Sequence, residues 1–486
     1  MCEVPSLYIL RNSSPVHNDK VILEDNAFVL SKDIVSIWTK EYWAGVSSVQ
    51  TAESLYRPLF LTTVSLASSY VNVLRILVML SHVIIGLMVY VLARSALTAY
   101  YSDYAREQDF STAAVETISL FGASIFCFHP ANVEVTAQVI GLMETMPIIC
   151  GLGGLLLFTR LPVMGVLLIG LAPGWKETGF VWLGLSILYF LWKKHFRASF
   201  FLGAILFSWL DARFLIYAAM LRTTTKPFYL LNPLVTMDVI DGLFSRVALL
   251  GHYVRLYFWP FALSSDYSLG TLPLPGYFLQ VWVIIAMIFT VVMLMFFGRF
   301  PWREKMSASV PVVFLLMTIL PVLDPFGTME IIFAERFGYG FRAGLTIMLS
   351  LVVARIYFKK LELFSRRIVF YAVMIFITSV PSLFYVFSLY RTIDWTTSYT
   401  LFSKDAARYP HNAKLHFNLG MSYAQSEQWK ESEDEFSIAI ELVPNFPEAH
   451  FRIGFALRKL GLVDDAQLHW KMADELGYKV EKTSRR

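Results

Sequence analysis

Apolar runs and short polar connections alternate along the chain from residue 72 to residue 388. The runs predict membrane-spanning helices at 72–93, 112–128, 136–158, 162–172, 178–192, 198–220, 278–298, 309–323, 341–358 and 368–388. A bilayer core of about 30 Å needs about 20 helical residues. The runs at 162–172 and 178–192 are therefore short, and they are open to a second interpretation as a broken or re-entrant pair. The pattern predicts an all-α, polytopic membrane domain over residues 72–388 with about ten spans.

Residues 1–71 have a mixed polar and apolar pattern, with neither a signal-peptide hydrophobic region nor a first apolar span. Either the N-terminus begins outside, or the sequence begins one span late. Asn12-Ser13-Ser14 is the only N-glycosylation sequon and is weak support for an exposed N-terminus. Glu24 and Asp25 are adjacent carboxylates among apolar residues. Such a pair is most often a turn or a helix cap, and the alternative is a pair of acids at the mouth of a membrane enzyme.

Residues 221–277 form a connection that is too long for a simple turn between spans. It contains Asn232-Pro233, the amphipathic stretch Val247–Phe261 and then Asp266-Tyr267-Ser268. Its aromatic and basic residues are typical of a helix that lies in the membrane interface. A span without a clear apolar run is the alternative, and the topology would then need one further crossing.

After residue 388 the sequence becomes amphipathic and repeats with a period of 34 residues. The units 413–446 and 447–480 align without gaps and match the tetratricopeptide pattern at Leu419, Gly420, Tyr423, Phe436, Ala439 and Pro444, and at Ile453, Gly454, Leu457, Ala466, Trp470 and Ala473. Residues 394–410 form a preceding half repeat. The pattern predicts a short α-solenoid over 389–480, followed by a charged tail at 481–486. Because three or more repeats are normally needed for an independent solenoid, this array is expected to dock on the membrane domain or on a partner.

Composition places the chain among membrane proteins and excludes an ordinary soluble protein. Hydrophobic residues make up 56% of the chain and charged residues 16%, with a mean hydropathy of +0.55, whereas a soluble domain has about 25% charged residues. Cys2, Cys127 and Cys150 provide no disulfide framework. Because no metal-ligand spacing is recognisable, we predict no metal.

The distribution of basic residues predicts the orientation of the chain in the membrane. The connections 94–111, 159–161, 193–197, 299–308 and 359–367 hold 13 Lys and Arg in 45 residues, whereas the alternate connections hold 6 in 86. Basic loops stay inside, so residues 1–71 and the repeats are predicted to lie on the outer or lumenal side.

With this orientation, polar residues gather near span ends on the non-cytoplasmic side. They are Glu24, Asp25, His129, Glu134, Lys176, Glu177, Asp266, Asp324, Glu335 and Arg336. A charge at mid-membrane costs about 2.5–3.5 kcal/mol even on the milder insertion scales. Each residue alone is explained as an ordinary interfacial loop charge, and the set together predicts a shared polar cavity.

An ordered set of short motifs extends over nearly the whole chain. It comprises Glu24-Asp25, Tyr56-Arg57-Pro58-Leu59, His129-Pro130 with Val133-Glu134, Gly141 with Glu144, Lys176-Glu177, Asn232-Pro233, Asp266-Tyr267-Ser268, Ala334-Glu335-Arg336 with Tyr339, Arg391 with Asp394-Trp395, and Asn412 to Leu419. In this order the chain resembles the TMTC family, the transmembrane and tetratricopeptide-repeat proteins of the GT-C class of membrane glycosyltransferases.

The resemblance implies a protein O-mannosyltransferase of the endoplasmic reticulum membrane. Such an enzyme transfers mannose from dolichyl phosphate mannose to Ser or Thr of secretory or membrane proteins, cadherins for example, by a single inverting displacement. The lipid-linked donor is a substrate, so no cofactor is expected. The implied partners are this donor, the acceptor protein, a peptide or protein ligand of the repeats, and the bilayer, without nucleic acid. A bacterial homologue would face the periplasm.

Roles for individual residues follow from the same resemblance. Asp25 or Glu24 is implied as the base that takes the acceptor proton. A fixed cation suits the leaving lipid phosphate. The implied donor phosphate and sugar contacts are Arg336, Lys176, Arg57, His129, Glu134, Glu335 and Asp266.

Some positions depart from the family pattern. Two aspartates are usual where this chain has Glu24-Asp25, and Leu142 replaces an expected arginine two residues before Glu144. The repeat array is short, and no span precedes the acidic pair. Two other functions stay open. A transporter is less favoured because no inverted repeat or matched pair of broken helices is visible. A non-catalytic membrane scaffold that uses its repeats to hold a partner is the stronger alternative.

Overall fold

The computed structural model describes residues 18–46, 55–101, 112–220, 230–272, 281–298, 331–360 and 366–478. This part of the chain folds into helices without a β-strand, so the predicted all-α class is confirmed. The predicted span at 309–323, the sequon at Asn12 and the predicted site-face residue Asp324 lie outside the described residues.

The helices between the N-terminal segment and residue 220 are as follows. The N-terminal segment has a π-helical turn at Val21–Asp25, then α1 (Ala27–Leu30), α2 (Ile34–Thr39) and α3 (Pro58–Ala67). Next come α4 (Val71–Tyr101), α5 (Thr112–Cys127), α6 (Val133–Ala137), α7 (Leu142–Ile148), α8 (Gly154–Phe158), α9 (Pro162–Leu171), α10 (Thr178–Trp192) and α11 (Phe196–Met220).

The remaining helices complete the membrane domain and form the repeats. They are α12 (Val239–Phe258), α13 (Val281–Gly298), α14 (Tyr339–Lys360), α15 (Arg366–Asp394), α16 (Ser398–Arg408), α17 (Ala413–Gln425), α18 (Trp429–Leu442), α19 (Pro447–Lys459) and α20 (Val463–Glu475).

Five helical stretches in the described part are long and apolar enough to cross a membrane. They are Val71–Ala99, Val139–Phe158, Phe196–Ile216, Glu335–Tyr357 and Tyr371–Asp394, and the pair Thr112–Cys127 and Pro130–Ala137, bent by 53°, is a sixth if it counts as one span. The predicted runs at 162–172, 178–192 and 278–298 are also apolar helices, but shorter ones. The polytopic character is confirmed, and every predicted span within the described ranges coincides with an apolar helix.

The bend between α5 and α6 has a local cause at His129-Pro130. Proline has no backbone N–H and disfavours a helical conformation in the residue before it, and His129 is extended, with φ −67° and ψ 123°. The His129 side chain accepts from the backbone N–H of Ala131 at 3.2 Å, while the Asn132 amide donates to the Phe126 carbonyl at 2.7 Å. These two bonds satisfy groups that the broken helix leaves free.

The connections before and after α12 both contact the repeats. Leu230, before α12, packs in the apolar core of the repeat helices. Ala262, after α12, accepts a hydrogen bond from the Tyr409 hydroxyl at 2.9 Å. Both interpretations of this segment, an interfacial helix and an additional span, stay predictions.

The 34-residue period reappears in the contacts of the repeat helices. A Cβ on Gly420 would lie 2.8 Å from Phe436, and a Cβ on Gly454 would lie 2.4 Å from Trp470. The two glycines are 34 residues apart, as are Phe436 and Trp470, so glycine at the same repeat position lets the second helix of each hairpin approach the first. The predicted domain boundaries at 389, 413, 447 and 481 remain predictions.

Candidate active site

Three buried or partly buried ion pairs join segments that are far apart in the sequence. The Arg57 guanidinium donates to Glu177, with Nη2 2.7 Å from Oε2. Lys176 pairs with Glu144, and Arg336 pairs with Glu134. Three of the predicted donor-binding cations therefore lie in a polar cluster, hereafter the ion-pair cluster, which consists of these six residues.

Arg57 is positioned by the proline that starts α3. The residue before a proline is pushed out of the helical region, and Arg57 has φ −133° and ψ 60°. Its side chain thereby leaves the helix and reaches Glu177 and the Tyr42 ring, whose centroid lies 5.1 Å from its guanidinium carbon. Arg213 of α11 approaches the same carboxylate at 3.7 Å, so Glu177 is shared by two cations.

Lys176 and Glu177 occupy the short connection between α9 and α10, which explains how both acquire partners inside the domain. Burial lowers the pKa of Lys176, and the nearby Arg57 and Arg336 lower it further, while Glu144 acts in the opposite direction. Burial alone would raise the pKa of Glu177, but the charges of Arg57 and Arg213 bring it below the ordinary value. The three predicted cations are thus close enough for their charges to interact.

Glu134 and Arg336 make the most constrained pair of the cluster. Glu134 is 2% exposed and lies on the short helix α6 after the bend. Its carboxylate accepts from the backbone N–H of Arg336 at 2.8 Å and also from the Arg336 guanidinium. Because backbone and side chain bind the same carboxylate, the position of Arg336 is fixed in both.

Glu335, the residue before Arg336, and Asp266 both lie where the membrane domain meets the repeats. Glu335 is fully buried, and its Oε1 accepts from the Ser264 backbone N–H and from the Tyr267 hydroxyl, both at 2.8 Å. Asp266 Oδ1 accepts from the Ser268 N–H at 2.9 Å and from the Asn412 amide at 3.2 Å. Asp266 therefore holds a turn against the repeats, and no contact with the ion-pair cluster is seen for it in the described residues.

His129 lies at the bend, and none of its hydrogen bonds or ring contacts in the described residues is with the ion-pair cluster. Its Nε2 donates to the Tyr257 carbonyl at 3.1 Å, and its ring stacks on that of Tyr257, with centroids 5.4 Å apart. Since both ring nitrogens already have backbone partners, the contacts of His129 are structural ones.

The predicted catalytic acids occupy a different environment. Glu24 and Asp25 are exposed, and Glu24 lies 3.8 Å from Lys20, an ion pair between exposed side chains. The structure does not bring either acid into contact with the ion-pair cluster within the described ranges. Their catalytic assignment remains a prediction.

A different acid of the same segment is buried. Asp19 is 1% exposed, and its carboxylate accepts from the backbone N–H groups of Val139 and Ile140 at 2.7 and 3.0 Å. Burial raises the pKa of Asp19 to about 6, although these two bonds and Arg75 act against the rise. Its charge acts on Tyr42, as do those of Arg57, Glu177 and Arg336, and the pKa of Tyr42 is raised mainly by burial.

Sequence reasoning did not select Asp19, because in Asn18-Asp19-Lys20 it has the composition of a solvated turn. The only available signal was its position five residues before the acidic pair. Glu144 and Glu177 were noticed as motif members without a role, and the structure shows them as partners of predicted cations.

The described residues contain no group of three or more His, Cys, Asp or Glu side chains that could hold a metal ion. The cluster instead offers cations that can bind an anionic group and carboxylates that can accept a proton. These are the elements needed to bind a phosphate leaving group and to deprotonate a hydroxyl.

The chain is similar to proteins that are named protein O-mannosyl-transferases. The chain is 23% identical over 454 residues to the protein O-mannosyl-transferase F38B6.6 of Caenorhabditis elegans, covering 89% of this chain and 60% of the relative. It is 21% identical over 401 residues to the protein O-mannosyl-transferase TMTC3 of Mus musculus and 22% identical over 402 residues to that of Homo sapiens. Those alignments cover 74% of this chain and 42% and 43% of the relatives.

The chain thus spans less than two thirds of the length of the curated relatives it matches. No family model matches, and no solved structure matches. The similarity to TMTC proteins predicted from the sequence motifs is confirmed by these relatives.

Proposed function

We propose that this chain, a membrane protein similar to protein O-mannosyl-transferases, transfers mannose from dolichyl phosphate mannose to Ser or Thr hydroxyls of secretory-pathway proteins. The observation that carries the proposal is the ion-pair cluster, where Arg57, Lys176 and Arg336 come together from three distant segments. A buried set of three cations suits the charge that develops on a lipid phosphate as the sugar leaves.

The donor end of the reaction is assigned to these cations. Each is paired with a carboxylate here, so donor binding exchanges a carboxylate for the phosphate as the ionic partner. Breaking a buried pair without replacement costs about 3–5 kcal/mol. An arriving phosphate supplies a new anionic partner for the cation, and the displaced carboxylate must keep a second cation or take up a proton. Glu177 has such a second cation in Arg213, at 3.7 Å.

The acceptor end needs a base within reach of the hydroxyl. Asp25 or Glu24 was predicted for this role, and Asp19 is a third candidate. A carboxylate with a pKa of about 6 is better matched to proton abstraction near neutral pH than an ordinary one. In a single displacement, the base takes the hydroxyl proton while the new glycosidic bond forms, the bond to phosphate breaks and the configuration at the sugar inverts.

The cellular setting belongs to the same proposal. Basic connections on one side support an endoplasmic reticulum membrane protein with the repeats in the lumen. The acceptor protein and a ligand of the repeats are the proposed protein partners.

A non-catalytic scaffold is the second candidate. It is favoured by the exposure of Glu24 and Asp25 and by the pairing of the three predicted cations with carboxylates. In that case the ion pairs serve only to hold the fold, and the repeats carry the function.

Mannose transfer in membranes from cells expressing the chain separates the two. The variants are D19N, D25N, E24Q and R336A, with D464N and K471A as controls on the exposed side of α20. We expect transfer by the unaltered chain and by both controls, loss of at least about tenfold in R336A, and loss of at least about a hundredfold in one acid variant. Absence of transfer by the unaltered chain at normal abundance would favour the scaffold. Transfer unaffected by R336A would overturn the site assignment.

A further inference from the structure

The repeat helices support the segments around the Glu134–Arg336 pair from two directions. The first direction is apolar. Val133 and Ala137, on either side of Glu134 in α6, pack in one buried cluster with side chains of the repeat region, namely Trp395, Leu401, Phe402, Ala406, Leu415 and Leu419. The short helix that carries Glu134 is therefore supported directly by α16 and α17.

The second direction is polar and runs through residues 262–272, here named the bridging loop. Three side chains of the repeat region bind its backbone or side chains. Arg408 donates to the Leu263 carbonyl at 2.6 Å, the Tyr409 hydroxyl donates to the Ala262 carbonyl at 2.9 Å, and the Asn412 amide donates to Thr271 Oγ1 at 2.6 Å.

Asp405 is at the centre of this contact. It is fully buried on α16 and accepts from the Ser265 backbone N–H at 2.6 Å. Arg391, at the end of α15, donates to both of its oxygens at 2.9 and 3.2 Å. A buried carboxylate held by a bidentate guanidinium has a fixed position, so the bridging loop is held at Ser265.

The next residue back along the loop continues the connection to the cluster. Ser264 donates through its backbone N–H to Glu335, which also accepts from Tyr267 of the same loop. Glu335 immediately precedes Arg336, whose own N–H is bound to Glu134. The chain of bonds therefore runs from Asp405 through Ser265 and Ser264 to Glu335 and Arg336.

We propose that Asp405 is a positioning residue of the transferase site, and that the first repeat helices, through the bridging loop and Glu335, hold Arg336 and Glu134 in their places. This inference rests on the proposed function. A docking contact that served only to attach the repeats could bind the periphery of the membrane domain. Here it binds both segments that supply the Glu134–Arg336 pair.

The test uses the full chain with the variants D405N and Y267F, each of which weakens one step of the connection. D394N is the matched control, because Asp394 also pairs with Arg391, at 3.3 Å, and with Lys404, at 2.5 Å, but makes no bond to the bridging loop in the described residues. If D405N lowers abundance, Y409F replaces it, since it removes only the hydroxyl bound to Ala262.

Two measurements are made on purified protein. In mannose transfer, D405N and Y267F are expected to raise the KM for the lipid donor about fivefold, the value of one hydrogen bond, with kcat kept. Their double variant is expected to be no worse than the larger single one, because both act through the same contacts. In hydrogen exchange without donor, the amides of residues 331–338 are expected to exchange faster in both variants and not in D394N.

The outcomes separate the inference from the proposed function. Unchanged exchange at 331–338 in D405N and Y267F overturns the inference whatever the activity. Additive KM effects, or an equal rise in D394N, overturn it too. Faster exchange in a chain that transfers no mannose would support the positioning connection and contradict the proposed function.

Discussion

A buried carboxylate five residues from the predicted acidic pair is the most informative single residue of the site. Asp19 makes two hydrogen bonds to backbone N–H groups, which alone would favour its ionised form. Its pKa is nevertheless raised to about 6 by burial. At neutral pH it is mostly ionised and able to accept a proton, and it is buried whereas Glu24 and Asp25 are exposed.

If Asp19 is the base, the rate of mannose transfer should rise with pH to a plateau, with a midpoint near its pKa of about 6. The D19N variant should lose at least about a hundredfold in kcat, and the residual rate should not show this midpoint. The measurement is a pH profile of kcat from pH 5 to 8 for the unaltered chain, D19N and D25N. A profile without a midpoint near 6, or loss of activity in D25N alone, would return the assignment to the predicted pair.

The raised pKa of Asp19 also makes the stability of the folded protein depend on pH. Because the folded-state pKa of Asp19 is raised, folding favours its protonated form, and this contribution is complete below about pH 4 and lost as pH rises through about 6. A rise of about two units corresponds to about 3 kcal/mol. Burial of Asp19 is therefore a cost at neutral pH, which is expected of a group retained for chemistry.

At the scale of elements, a histidine at the same position of the two repeat hairpins has a different side-chain partner in each. His416 Nδ1 lies 2.7 Å from Glu435 Oε2, and His450 Nδ1 lies 3.0 Å from His469 Nδ1. Both His416 and His450 also bind a proline carbonyl through Nε2, at Pro410 and Pro444. The hairpins thus share a histidine with the same anchor and differ in its second partner.

The two pairs should respond to acid in opposite directions. Burial acts to lower the pKa of His416, but Glu435 outweighs it and raises that pKa. Burial and His450 lower the pKa of His469, against the weaker effects of Asp465 and Glu433. The His416 contribution is therefore present at low pH and lost as pH rises through its folded pKa. The His469 contribution is present at neutral pH and lost as pH falls below its unfolded pKa of about 6.5.

We predict that acidification from pH 7.5 to 5.5 makes the amides of α19 and α20 exchange faster while those of α17 and α18 are protected. The variant H469E copies the Glu435 arrangement of the first hairpin. It should abolish the acid sensitivity of the second hairpin. The new pair with His450 should stabilise that hairpin at low pH by about 1 kcal/mol, the value of a partly exposed charged pair. Hydrogen exchange at both pH values is the measurement. Parallel responses of the two hairpins, or an unchanged response in H469E, would contradict the prediction.

Elements that depend on local interactions could be predicted from the sequence, whereas those that depend on contacts between distant segments could not. Apolar runs and the 34-residue period are local patterns, and they predicted the helices of the membrane domain and the glycine contacts at Gly420 and Gly454. The bend at Pro130 and the helix α12 were accessible in part, since they depend on proline and on amphipathicity. The contacts of Leu230 and Ala262 with the repeats were not, because they depend on how the folded chain brings distant segments together.

At the scale of the whole molecule, the site is made by pairings that no local pattern contains. Arg57 and Glu177 are 120 residues apart, and Glu134 and Arg336 are 202 apart. The sequence identified most of the charged residues because isolated charges near span ends are unusual. It did not identify their partners, or the burial of Asp19, since both depend on how α3, α6 and the 176–177 connection pack together.

The orientation of the whole molecule in the membrane can also be predicted. Measuring it tests the premise that the repeats share a compartment with the acceptor protein. In a background with C2S, C127S and C150S, the variants S426C and K194C place a thiol in exposed turns, one between α17 and α18 and the other between α10 and α11. Basic connections stay on the cytoplasmic side, so K194C in sealed endoplasmic reticulum vesicles should react with a membrane-impermeant maleimide. S426C should react only after the vesicles are permeabilised. Labelling of S426C in intact vesicles would place the repeats in the cytoplasm, and because α16 and the bridging loop bind each other, the proposed site would then face away from secretory proteins.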